Sequence, residues 1–163
     1  MIQKKICLLG ASGVGKTSLV KQYVEGIFSD KYLTTIGVKI DKKVVELAVE
    51  KVQLMIWDLE GIDRYCGFQA KYLRGASAYV IITDQTRSQS LVEGMEIQRM
   101  VREVSDIPAI LIINKSDLEV AWHWTESELN GYSKEFVNTF NTSAKTGDQV
   151  EDVFKFLAQL CLK

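Results

Sequence analysis

The run Gly10-Ala11-Ser12-Gly13-Val14-Gly15-Lys16-Thr17 constrains this chain more than any other part of it. It satisfies G-x-x-x-x-G-K-[ST], follows the apolar segment Ile6-Cys7-Leu8-Leu9 and leads into a helix expected to begin near Gly15. That strand, loop and helix order is the context the pattern requires. Glycines let the backbone turn its N–H groups, with the positive end of the helix, toward phosphate oxygens. Lys16 adds a charge, and the Thr17 hydroxyl can take one Mg²⁺ position. The motif alone implies a purine nucleoside triphosphate with Mg²⁺. It leaves open which purine, and whether the phosphoryl group goes to water or to another acceptor.

The rest of the chain reads as an α/β fold around that unit. Val38 to Leu47 and Val52 to Trp57 are rich in β-branched or large apolar residues. They lie close enough to pair as an antiparallel hairpin through Ala48-Val49-Glu50-Lys51. Ala78 to Ile82 and Ala109 to Ile113 are continuous apolar runs, the pattern of central strands buried on both faces. Between them Ser88 to Val104 suits a helix capped by Ser88, and the lone proline, Pro108, interrupts neither element. Thr125 to Lys134 reads as a short helix, Val137 to Thr142 as a last strand, and Asp148 to Leu162 as a closing helix capped by Asp148. The expectation is one domain over residues 1–163, with a mostly parallel sheet of about six strands, one antiparallel pair and about five flanking helices.

At 163 residues, 47% of them hydrophobic, the chain has room for one core and none for a second domain. With 20 Lys and Arg against 21 Asp and Glu the net charge is -1, too weak a basic field to hold a nucleic-acid backbone. Cys7, Cys66 and Cys161 form no C-x-x-C pair, which points away from a disulfide framework or zinc site and toward a reducing cytosol. No apolar run reaches roughly 18 residues and the start lacks a signal-peptide core, so a soluble, cytoplasmic protein is expected. Cys161 has only two residues after it, fewer than a prenylation box needs. It also falls in the helical pattern Val150, Val153, Phe154, Leu157, Leu160, Cys161, so it is expected to face the core rather than carry a lipid.

Asn114-Lys115-Ser116-Asp117 stands at the end of one apolar strand and Thr142-Ser143-Ala144-Lys145 at the end of the next, where open α/β sheets bind ligands. With these motifs the sequence resembles the Ras superfamily of small GTPases and, within it, the Rab-like branch, over essentially the whole chain. The resemblance implies a P-loop G domain selective for guanine. Asp117 would accept hydrogen bonds from the base N1 and N2 groups, while Asn114 braces the loop and Lys115 lays its stem along the base. The Ala144 amide would reach the guanine oxygen, flanked by Ser143 and Lys145, and Phe28 would pack against the ring edge. On the phosphate side the resemblance implies contacts from Ser12, Gly13, Val14, Gly15, Lys16, Thr17 and Ser18. A carboxylate that receives two donors from guanine meets mismatched groups on adenine. A P-loop kinase for a small molecule, the main alternative, predicts lid arginines and does not predict N-K-S-D and S-A-K at successive strand ends.

Two further segments resemble the family's γ-phosphate sensors. In Tyr32-Leu33-Thr34-Thr35-Ile36-Gly37-Val38, Thr35 is implied as a Mg²⁺ ligand of the GTP state. In Trp57-Asp58-Leu59-Glu60-Gly61, Asp58 is implied to hold the metal through a water, and the Gly61 amide to touch the γ-phosphate. Lys16, Thr35 and Gly61 are then the residues implied in catalysis, and loss of the γ-phosphate releases both loops. The family's usual W-D-T-A-G-Q-E-R reads here Trp57-Asp58-Leu59-Glu60-Gly61-Ile62-Asp63-Arg64. Ile62 occupies the place of the glutamine that orients the attacking water, and isoleucine has no donor or acceptor for that task. Slow hydrolysis is expected unless a partner supplies the missing group. Glu60 either repels the γ-phosphate or works with Asp63 to position water.

His123, the only histidine, sits in an insertion-like loop without a partner pattern and is read as non-functional. The flanking Trp122 and Trp124 read equally as an edge cap or a contact surface. Two functions follow: a slow GTPase that switches between GTP and GDP forms, or a nucleotide-stabilised interaction module with negligible turnover. The γ-phosphate sensors favour the first. Effector, exchange and GTPase-activating proteins are the implied partners, acting through the switch loops of a monomer.

Overall fold

Along the first strand Ile6 and Leu8 enter one core and Cys7 and Leu9 another, because successive side chains of a strand point to opposite faces of the sheet. The computed structural model describes residues 1–26, 38–59, 70–122 and 125–163. Its elements are β1 (Ile2–Gly10), α1 (Lys16–Glu25), β2 (Val38–Glu46), β3 (Lys51–Leu59), a 3₁₀ turn (Ala70–Leu73), β4 (Ala76–Asp84), α2 (Ser88–Arg102), β5 (Ala109–Asn114), α3 (Glu126–Ser133), β6 (Thr139–Asn141) and α4 (Val150–Leu160). The strands form one six-stranded sheet in the order β2-β3-β1-β4-β5-β6. Every pairing is parallel except β2 with β3, which runs antiparallel from Val38 opposite Leu59 to Glu46 opposite Lys51.

Helices cover both faces. α1 and α4 pack Leu19, Val20, Val153, Phe154 and Leu157 against Ile6, Leu8, Val80 and Ile112. On the other face α2 sets Leu91, Met95 and Val101 against Cys7, Tyr79, Ile81 and Leu111. α3 buries no residue completely and leans Leu129 and Tyr132 on that second core. Cys161 is buried, as its helical spacing implied. Among the described residues no helix is long and apolar enough to cross a membrane.

The expected architecture holds, with local differences. Among the described residues there are four α-helices and one 3₁₀ turn, where about five helices were expected on the alternation of strands and mixed segments. Ser88 is already the first residue of α2, and Arg87 takes the cap position without a side-chain cap bond. Ser90 holds this junction instead, its Oγ accepting from the Asp84 N–H at 2.9 Å and donating to the Arg87 carbonyl at 2.7 Å. Asp148 does not cap α4 either. Its carbonyl accepts from the Ser143 N–H at 3.2 Å, and the chain enters the helix through Gln149 in the left-handed region at φ 58. β6 is three residues long, although ladder-like bonds from Val137 N–H to Ala109 O and from Thr142 N–H to Ile113 O extend beyond it.

Candidate functional site

β1 is the strand at which the sheet's order reverses, with β3 on one side and β4 on the other. The crevice beyond its carboxyl end is therefore the place where such sheets bind ligands. The loop from Gly10 to Gly15 leaves β1 there and turns directly into α1. Gly15 stands at the cap position with φ 99, and no side chain caps the helix. Gly10, at φ 154, passes so close to β4 that a Cβ would lie 2.4 Å from the Ile82 carbonyl. Gly15 has Asn114 Nδ2 where a Cβ would reach within 2.4 Å. A larger residue at either position would displace backbone or the amide that braces the loop.

The ends of five neighbouring strands supply the side chains. Lys16 is 3% exposed, and its ammonium donates to the carbonyls of Gly10 and Ala11, both at 3.0 Å. Asp58, at the end of β3, is fully buried, and Thr17 Oγ1 donates to its Oδ2 at 2.6 Å. At the end of β5, Asn114 donates from Nδ2 to the Val14 carbonyl at 3.0 Å and accepts at Oδ1 from Thr142 Oγ1 at 3.0 Å. Lys115 follows in the left-handed region at φ 65, with Nζ 3.2 Å from the Gly13 carbonyl and 2.9 Å from Asp84 Oδ2. Asp117 is exposed, and one of its oxygens accepts from Ser143 Oγ at 2.8 Å. Ser143 Oγ also accepts the Thr146 N–H at 3.0 Å, which holds the turn carrying buried Ala144 and exposed Lys145.

The two motif groups read from the sequence are thus one place: Asn114 and Lys115 of the base motif both grip the phosphate loop. Ser12, Gly13, Val14, Lys16, Thr17 and Ser18 lie on the loop and the first turn of α1. Phe28, Thr35, Glu60, Gly61, Ile62, Asp63, Cys66, His123 and Trp124 lie outside the described residues.

Sequence reasoning missed a group at the end of β4. Asp84 is fully buried. It accepts from the N–H and Oγ1 of Thr86 at 2.8 and 2.6 Å, and from Arg87 Nε at 3.2 Å. Burial alone pushes its carboxyl up, but the Thr86 bonds and the Lys115 ammonium outweigh that and hold it below the ordinary value. Trp122 closes the junction, its Nε1 donating to the carbonyls of Asp84 at 2.7 Å and Arg87 at 3.0 Å. Of its two sequence readings, the edge cap is the one these bonds describe. The signal that would have found Asp84 was its place, directly after the apolar run Ala78 to Ile82 and level with Asn114 across the sheet.

The residues suit a phosphate chain with a divalent cation. The glycines leave a backbone-lined cradle, and Thr17 and Asp58 offer hard oxygen donors side by side, the kind Mg²⁺ takes while keeping waters and phosphate oxygens as its other ligands. Among the described residues no group of three or more His, Cys, Asp or Glu is placed to hold a metal. An all-protein cage is therefore not what these residues build.

Comparison with known proteins agrees with this geometry. The Ras family model matches residues 5–163. The Ras-related protein Rab-13 of Mesocricetus auratus is 29% identical over 158 residues, covering 95% of this chain and 78% of that protein. Rab-13 of Bos taurus aligns with the same identity and coverage.

Proposed function

This chain belongs to the Ras family of small GTP-binding switch proteins, and from that membership we propose that it binds GTP and GDP with Mg²⁺ and hydrolyses GTP slowly. The observation that carries the binding reading is Asn114, which ties the base-end strands to the phosphate loop through Val14 and Thr142. In this reading the backbone from Ser12 to Ser18 and the Lys16 ammonium hold the phosphates. Asp117, Lys115, Ser143, Ala144 and Lys145 hold the guanine, with Phe28 at its edge. Thr17 and Thr35 ligate Mg²⁺ and Asp58 orients one of its waters, while Thr35 and Gly61 report the γ-phosphate. Bound Mg²⁺ offsets negative charge on the phosphate oxygens. Lys16, buried with its ammonium bonded to the Gly10 and Ala11 carbonyls, would share that task.

Hydrolysis requires an ordered water, and Ile62 carries no group to order one. The chain therefore waits in the GTP form, where its switch loops meet effectors, until a GTPase-activating protein or a neighbouring carboxylate such as Glu60 or Asp63 supplies the missing group. A protein of this kind works as a cytoplasmic monomer. A second reading, a nucleotide-stabilised module with negligible turnover, rests on the same Ile62 and Glu60.

The deciding experiment is single-turnover phosphate release from GTP-loaded protein with Mg²⁺, wild type against Ile62→Gln. Slow wild type and faster variant support the waiting switch. Equal rates sink the role given to Ile62. No release from either, with GTP retained, favours the module, and failure to retain GTP over ATP defeats the reading altogether.

A further inference from the structure

The carbonyls of the phosphate loop are engaged one after another. Gly10 and Ala11 accept from Lys16, Ser12 from Arg87 Nη2 at 2.8 Å, Gly13 from Lys115, Val14 from Asn114, and Gly15 from the Leu19 N–H at 2.8 Å. In a planar trans peptide the C=O and the following N–H point in opposite directions. Three donors approach the Ser12, Gly13 and Val14 carbonyls from the side of β4 and β5, so the amides of Gly13, Val14 and Gly15 face the other way, into the mouth of the loop. Two of those donors belong to the N-K-x-D motif. The third, Arg87, belongs to no motif of this chain.

We propose that Arg87 is a positioning residue of the nucleotide site, acting through the Ser12–Gly13 peptide to aim the Gly13 amide at the phosphates. The proposal rests on the guanine-nucleotide reading given above. Arg87 is itself held from several directions. Its Nε donates to buried Asp84 at 3.2 Å, its N–H donates to the Asp84 carbonyl at 3.0 Å, and its own carbonyl accepts from Trp122 Nε1 at 3.0 Å and Ser90 Oγ at 2.7 Å. The guanidinium's fixed fork lets Nε stay on Asp84 while Nη2 reaches the loop, two bonds made by separate nitrogens of one planar group. The side chain is 46% exposed, so replacing it opens no core.

The test compares wild type, Arg87→Ala and Arg87→Lys, each as the full chain loaded with a fluorescent GDP analogue. Dissociation rates, melting temperatures and the ¹H–¹⁵N resonance of the Gly13 amide are followed. Arg87→Ala should release the nucleotide roughly tenfold faster, the effect of losing one hydrogen bond to a charged group. Arg87→Lys should fall between, the melting temperature of Arg87→Ala should drop as the Asp84 pair and part of the bound nucleotide's stabilisation are lost, and the shift of the Gly13 amide on GDP binding should shrink in that variant. Release from Arg87→Ala at the wild-type rate overturns the proposal. So does faster release with the Gly13 amide unchanged, because the effect then travels by another route. If wild type holds no guanine nucleotide, the guanine reading falls and this proposal with it, whereas intact wild-type binding with indifferent variants removes the proposal alone.

Discussion

The side-chain amide of Asn114 donates to the carbonyl of Val14 across 3.0 Å, although 100 positions separate them in the chain. Its other end accepts from Thr142 Oγ1, so one buried residue joins β1's loop, β5 and the turn after β6. Asn114→Ala would leave both partners buried without it. A loss of about 1–3 kcal/mol is expected, measured by urea denaturation, together with faster release of GDP.

Two glycines that flank α1 provide an internal comparison. At Gly26, φ is 71 and nothing lies within 4 Å of an added Cβ, whereas at Gly15 φ is 99 and the Cβ would meet Asn114 Nδ2 at 2.4 Å. Gly26→Ala should cost only the left-handed backbone term, about 1 kcal/mol, and Gly15→Ala about 2 kcal/mol or more. Only the second should impair nucleotide binding. Equal losses in a denaturation series would show that the brace at Asn114 gives way freely.

Asp84 sets a pH dependence. Its carboxyl is held below the ordinary 3.8 by Thr86 and Lys115 against the opposing effect of burial. A carboxyl harder to protonate in the folded than in the unfolded chain stabilises the fold above its unfolded value, and that contribution drains away as pH falls through the lower folded value. Asp84→Asn should therefore be less stable than wild type near neutrality. The difference should be on the order of 1–2 kcal/mol, since Lys115 and Arg87 are partly exposed and screened. Denaturation repeated at pH values descending through 3.8 should show the difference closing.

The thiols of Cys7 and Cys161 should be inert in the native protein. Burial pushes Cys7 up to about 12 and Cys161 to about 11, with Lys5 and Lys4 opposing only in part. At pH 8 almost no thiolate exists at either position, and the thiolate is the reactive form. An alkylating reagent followed by peptide mass mapping should mark both only after denaturant is added. Native labelling of Cys161 would contradict its packing against α1 and the sheet.

The strands were legible because aliphatic runs such as Ile110 to Ile113 have no other stable use in a chain of this size, and the phosphate and base motifs because each is contiguous. The helix caps were not. Ser88 and Asp148 carry the right chemistry, but Ser90 and the turn from Ser143 to Gly147 take over the local backbone bonds. Asp84 and Arg87 stayed hidden for a different reason. A single carboxylate and a single guanidinium have no motif spacing, so the place of Asp84 just after an apolar run gains its meaning once the fold brings Lys115 and Ser12 beside the pair.

The order in which these partners are made has a consequence for biosynthesis. Ribosomes release the amino end first, so residues 10–15 are translated long before Arg87, Asn114 and Thr142, whose bonds set the loop's shape. A nascent chain carrying every glycine and Lys16 of the motif still lacks the grips on Ser12, Gly13 and Val14. On the proposed reading, a product broken off before β5 carries the phosphate signature without the Asn114 and Lys115 grips on Val14 and Gly13, and is expected to hold nucleotide less well.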